Sequence, residues 1–135
     1  MVERVKYLFI SVTTAAIFFL CLLTYGTAAE LVMFRDAACP YCAQFDHEIA
    51  PVYPKTTEGR RAPLRYVDVS TPLPPDLAFV ERERLTPLFV LVEDGKEIGR
   101  IRGYPGDDHF WGLLGVLLTK LDRIQGVKKS GAPIE

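Results

Sequence analysis

Beyond residue 29 the chain alternates between apolar runs and short polar breaks. Leu31-Val32-Met33-Phe34 is apolar at every position, which predicts a strand buried on both faces. After a connection at 35–38, Cys39 opens a helix, because Pro40 suits the first helical turn, where an N–H has no partner. Phe45, Ile49 and Val52-Tyr53 recur at helical spacing, and Pro51 ends or kinks that helix. Residues 54–62 read as a polar loop. Leu64 to Val69 alternates and is rich in strand formers. The prolines from Ser70 to Pro75 demand a connection, and Asp76 to Leu85 reads as a short helix with Leu77, Val80 and Arg84 on successive turns. Leu88 to Val92 is the strongest strand signal. Asp94-Gly95 predicts a hairpin turn, and Lys96 to Arg102 returns as its partner, with Arg100 and Arg102 on one wet face. Gly103-Tyr104-Pro105-Gly106 breaks the chain. Asp107-Asp108 then start a last helix, with Phe110, Leu113, Leu114, Leu117, Leu121 and Ile124 as its buried stripe.

The predicted order is β-α-β-α-β-β-α, an α/β fold with a four-stranded mixed sheet flanked by helices. The first two strands are parallel because a helical crossover joins them, and the last two form an antiparallel hairpin.

The first 29 residues belong to a different class. Arg4 and Lys6 precede an uncharged, mostly apolar run from Tyr7 to Leu23, and small residues lead to Ala29. These are the three parts of a secretory signal peptide, with Thr27 and Ala29 at −3 and −1 of a cut before Glu30. An uncleaved N-terminal anchor is the other reading. The expected organisation is therefore 1–29 signal peptide or anchor, 30–126 folded domain and 127–135 flexible tail, with the domain outside the cytoplasm.

The whole chain has 16 Lys and Arg against 17 Asp and Glu; without Glu3, Arg4 and Lys6 the exported part has 14 against 16. That near-neutral balance lacks the basic face of a nucleic-acid binder. A monomer is the expected state.

Cysteine usage points to chemistry. Of three cysteines, Cys21 lies in the leader, so the exported part keeps only Cys39 and Cys42. A disulfide between them closes a tiny loop and constrains the unfolded chain little. At a helix N-terminus, unpaired N–H groups and the helix dipole favour a thiolate at Cys39. Cys42 falls on the side of Phe45 and Ile49, shielded and less acidic. Cys39 is thus the expected nucleophile and Cys42 the resolving thiol. Pro40 and Tyr41 lie between them and tune the pair. Arg35, four residues before Cys39, is either a further support for the thiolate or a solvated charge. Zinc would need two more ligands, and His47 and His109 are poorly spaced to supply them. Thr86-Pro87 directly precedes the most buried strand, where a proline is unusual; a cis bond there would account for it.

Together, a first strand ending at Phe34, Cys39-Pro40-Tyr41-Cys42 opening a helix, Thr86-Pro87 before a strand–Asp94-Gly95–strand hairpin, and Gly103 resemble the thioredoxin superfamily over the whole exported part. The resemblance implies a thioredoxin-like fold, a cis Pro87 beside the dithiol, and a Thr86 backbone that pairs with a substrate segment. It implies no cofactor beyond a redox-active Cys39–Cys42 disulfide. The stretches from Glu48 to Thr56, Gly59 to Arg65 and Gly103 to Gly106 are similar to the periplasmic thioredoxins of bacterial sulfur-oxidation (Sox) systems. That similarity implies a periplasmic enzyme reducing an exported protein with a reactive cysteine, namely a sulfur-carrier protein. Its electrons would come from a membrane thiol transporter. Two departures stand out: Met33 occupies the place of the family's buried aspartate, and Ala38 that of its tryptophan.

Other readings are a glutaredoxin-like reductase of glutathione mixed disulfides, as the Pro-Tyr centre and Asp107-Asp108 suggest, and a non-enzymatic redox-sensing module. A disulfide-forming oxidant would need an inserted helical domain, for which the stretch between Val69 and Thr86 leaves no room.

Overall fold

The computed structural model describes residues 28–130. The expected leader, apart from Ala28 and Ala29, and the last five residues of the expected tail lie outside the described residues, as does Cys21.

Four strands form one mixed sheet in the order β2-β1-β3-β4, with β1 at Glu30–Arg35, β2 at Leu64–Asp68, β3 at Leu88–Glu93 and β4 at Lys96–Arg102. β1 pairs parallel with β2, Leu31 opposite Leu64 and Phe34 opposite Val67. β1 pairs antiparallel with β3, Glu30 opposite Val92 and Phe34 opposite Leu88. The two central strands are the two apolar runs: Leu31 to Phe34 and all of β3 are buried. β3 and β4 are joined by Asp94-Gly95, both in the left-handed region (φ 50° and 68°), the geometry whose twist matches a two-residue hairpin.

Alternation along the central strands sends side chains to two faces. On one face Met33, Phe89 and Leu91 meet Phe45 of helix α1 (Pro40–Glu48) and Phe110, Leu114, Leu118 and Leu121 of helix α3 (Asp107–Ser130). An aromatic knot centres on Phe45, whose ring lies 4.7 Å from Phe89, 5.1 Å from Phe110 and 5.6 Å from Tyr104. Trp111 stacks on Tyr53 at 6.0 Å. On the other face Val32, Phe34, Val67, Leu88, Val90 and Val92 are covered by Leu77 and Val80.

That second cover corrects the expected order. Asp76 to Leu85 is not a helix; a single 3-10 turn at Pro75–Leu77 is followed by irregular chain. Leu77 and Val80 are three apart, a spacing that a 3-10 turn aligns on one side. The chain must then run extended into Pro87, since the residue before a proline avoids the helical region.

A short helix α2 (Thr57–Arg61) stands instead within the expected polar loop. Thr56 caps it, its hydroxyl accepting from Gly59 N–H at 2.9 Å. Gly59 is required there, because a Cβ would sit 1.9 Å from the Tyr53 carbonyl oxygen.

Two expectations for α3 also change. Leu118, not Leu113, joins the buried stripe, and Leu113 is 45% exposed. The helix continues through 127–130 instead of fraying. The reason is Glu93, a buried carboxylate that accepts from Gln125 at 2.6 Å and Lys128 at 3.3 Å, while Lys128 also reaches Asp94 at 2.8 Å. At the same end of the sheet Ala29 packs into the core. No helix among the described residues is long and apolar enough to cross a membrane.

Phe45 joins α1 to the sheet and α3 at once. Phe45→Ala should therefore cost about 3–5 kcal/mol of unfolding free energy, read from the urea midpoint.

Candidate active site

The antiparallel register fixes the site. With Phe34 opposite Leu88, the exit of β1 and the entry of β3 lie at one end of the sheet, so the Asp36–Cys39 connection and Thr86-Pro87 meet there. Asp36 shapes the connection: its side chain accepts from Ala38 N–H at 2.8 Å and its carbonyl from Cys39 N–H at 3.2 Å.

Cys39 is the N-cap of α1, extended at φ −81° and ψ 110°, with Pro40 behind it in the first turn. Its sulfur takes the place usually held by a serine or aspartate oxygen, accepting the Cys42 N–H at 3.1 Å. The two cysteines form a disulfide with Cα atoms 5.3 Å apart. Their surroundings differ. Cys42 is fully buried, in the apolar cluster with Met33, Phe45 and Phe89, while Cys39 is partly exposed and Tyr41 beside it is 57% exposed. In the reduced state the N–H that now faces the Cys39 sulfur would face a thiolate, adding to the positive end of the helix. The same cluster penalises charge on Cys42. The two sulfurs therefore differ in access, the Cys39 sulfur towards solvent and the Cys42 sulfur towards the core.

The Thr86–Pro87 peptide bond is cis. Pro87 is buried, Thr86 is partly exposed, and the Pro87 carbonyl accepts from Gly103 N–H at 2.8 Å. Gly103 and Gly106 both have positive φ (79° and 98°), so this turn can fold back against the Pro87 loop.

A family model for the thioredoxin-like domain matches residues 28–117. The chain belongs to the thioredoxin-like family. Among solved structures it is similar to the periplasmic thioredoxin SoxS from Paracoccus pantotrophus in its reduced form, with 45% identity, a TM-score of 0.65, and coverage of 69% of this chain and 98% of that one. A thioredoxin from Thermus thermophilus is 26% identical at a TM-score of 0.54, over 68% of this chain and 75% of that one. Malassezia sympodialis thioredoxin (Mala s 13), 23% identical over 70% of this chain and 78% of that one, shares the fold at a TM-score of 0.50. No curated protein sequence matches. With this family, this neighbour and the Cys39–Cys42 disulfide, the protein is a thiol–disulfide oxidoreductase.

Against the thioredoxin-like frame, some candidate residues stand apart from the dithiol. Arg35 pairs with Asp46 at 2.7 Å and lies over the Tyr66 ring at 5.2 Å, while the Tyr66 hydroxyl donates to Asp46 at 3.0 Å. Its guanidinium is engaged there by Asp46 and Tyr66. His47 and His109 are both exposed, on different helices. Tyr104, after Gly103, is buried and donates to Glu48 at 2.6 Å, tying the Gly103 turn to the end of α1.

The loop leading into Thr86 is held by contacts that no local pattern announces. Arg82 donates to the carbonyls of Val69 at 2.6 Å and Thr71 at 3.2 Å. Glu83 accepts from Arg100 at 2.5 Å and from Arg102 at 2.7 Å, and Arg100 also pairs with Glu97 at 2.5 Å. Arg100 is thereby drawn out of the water that the alternation assigned to it, with a side chain only 14% exposed. Arg102 and Arg100, donating to it, push the Glu83 carboxyl down to about 2. A folded pKa below the unfolded value means a stabilisation that is complete above about pH 4.5 and lost as pH falls towards about 2. The stability gap between wild type and Glu83→Gln, measured by urea unfolding, should hold constant from neutral pH to that upper bound and close below it.

Proposed function

We propose that this protein is a periplasmic reductase of disulfides or mixed disulfides on one exported partner, the sulfur-carrier protein of a thiosulfate-oxidising system. The observation that carries the reading is the asymmetry of the dithiol: a partly exposed Cys39 sulfur capping α1 and a fully buried Cys42 behind it. The likeness to periplasmic SoxS supports the compartment and the kind of partner.

The reaction starts from the reduced dithiol. The Cys39 thiolate attacks one sulfur of the substrate disulfide; that bond breaks, and the departing sulfur leaves as a thiolate that takes up a proton. Cys39 now forms a mixed disulfide with the other half of the substrate. Cys42 loses its proton and attacks the Cys39 sulfur. The second substrate thiol is released, and the Cys39–Cys42 disulfide remains. The substrate gains two electrons and the enzyme loses two, with no cofactor beyond the pair itself. A dithiol donor, in this reading a membrane thiol transporter, reduces the enzyme again.

Pro40 and Tyr41 tune the Cys39 thiolate from within its turn. Thr86 offers its backbone to an extended substrate segment in the manner of strand addition, with Pro87 holding the segment against the dithiol. The pairing positions the substrate disulfide before any bond changes.

With Cys42→Ser the sequence stops after the first attack. Expressed in a periplasm that contains the sulfur-carrier protein, Cys42→Ser should accumulate a covalent adduct with it, visible on non-reducing gels and released by dithiothreitol, while Cys39→Ser should give none. An adduct equally abundant with Cys39→Ser would overturn the assigned order of the two thiols. Capture of other exported proteins but not of the carrier would overturn the assigned substrate.

A further inference from the structure

Four arginines surround the loop before Thr86, and three are engaged. Arg82 is held by two carbonyls, and Arg100 and Arg102 by Glu83. Arg84 makes no hydrogen bond or ion pair among the described residues, and its side chain is exposed. The backbone that carries it is fixed nonetheless: Arg82 ties the loop to Val69 and Thr71, Glu83 ties it to β4, and the Glu81 carbonyl accepts from Arg100 at 3.3 Å. With the backbone already fixed, a partner has only the Arg84 side chain to immobilise.

Val69, Arg82, Glu83 and Arg84 line an open groove of about 320 Å³. The Glu83 carboxylate in its wall is already occupied by two arginines. The partners of Arg82 are neutral carbonyls, so the uncompensated charge at the groove is positive. Leu85, between Arg84 and Thr86, is 45% exposed and offers an apolar contact. Past Pro87, the Gly103 turn bonded to it leads to the exposed Asp107 and Asp108 at the start of α3.

We infer that this groove is a specificity subsite, in which Arg84 takes the carboxylate of an acidic side chain on the substrate segment docked at Thr86-Pro87. The inference rests on the docking role proposed above. A guanidinium fork matches a carboxylate with two parallel hydrogen bonds. Because Arg84 stands on the chain leading into Thr86, it favours an acidic residue on one side of the reactive cysteine. The enzyme therefore distinguishes partners by charge and direction, beyond the presence of a disulfide.

The test uses the pre-reduced full chain and three synthetic peptides, each with one cysteine blocked as a mixed disulfide with 2-mercaptoethanol. One peptide has Gln on both sides; the others have Glu either two residues before or two residues after the cysteine. Oxidation of the enzyme dithiol releases one peptide thiol and one 2-mercaptoethanol, so the second-order rate follows from enzyme thiol loss. One of the two Glu peptides should react about three to five times faster than the Gln peptide, the range of an exposed ion pair. That ratio should shrink in high salt. Arg84→Gln should bring it to about one, Arg84→Glu should invert it, and Arg123→Gln, on the outer side of α3, should leave it as in wild type. Equal rates with all three peptides, or a preference that survives Arg84→Gln, would overturn the subsite while leaving the reductase intact. Failure to react with any of the three would overturn the reductase reading and the subsite together.

Discussion

The antiparallel pairing of β1 with β3 is the constraint on which the other features depend. Both strands are buried on both faces, so their side chains lock the register from two sides, and a slip of one residue would send every side chain to the wrong face. Phe34 opposite Leu88 brings together two points more than fifty residues apart in sequence: the exit towards Cys39 and the entry from Thr86-Pro87. The helices, the hairpin and the covering loop all pack on this pair.

On that platform the reactive centre depends on a substitution of roles at one helix end. A helix leaves its first N–H groups without partners, and here a sulfur answers one of them. The aromatic knot around Phe45 holds α1 on the sheet three residues beyond Cys42, so the buried sulfur stays buried. Exposure at Cys39 and burial at Cys42 thus arise from a single turn of helix seen from its two sides.

Much of this was written into local pattern. β1 and β3 were readable because they are apolar at every position, the hairpin because Asp94-Gly95 suits positive φ, and the dithiol because Cys-Pro-Tyr-Cys needs a helix start. The misreadings share a cause. Leu77 and Val80, three apart, suit an α-helix and a 3-10 turn alike, and only the need to reach Pro87 decides between them. Leucines at 113, 114, 117 and 118 allow more than one stripe on α3, and the choice of Leu118 over Leu113 belongs to the packing. Arg100 and Arg102 alternate as a wet face should, yet Glu83, 17 and 19 residues away, dries one of them. The clamp on the loop before Thr86 is likewise non-local and left no trace in any window of sequence. Glu93 extended α3 by the same kind of long-range contact, 32 residues from Gln125.

The Glu93 anchor also gives the molecule a polarity. It gathers the last turns of α3, the Asp94-Gly95 hairpin and the start of β1 at one pole, since Glu30 lies opposite Val92. The dithiol lies at the other pole, one strand length away. Anything joined to the chain before Ala28 or after the end of α3 would therefore attach behind the enzyme. A tether at either place would start from the pole away from the Cys39 sulfur.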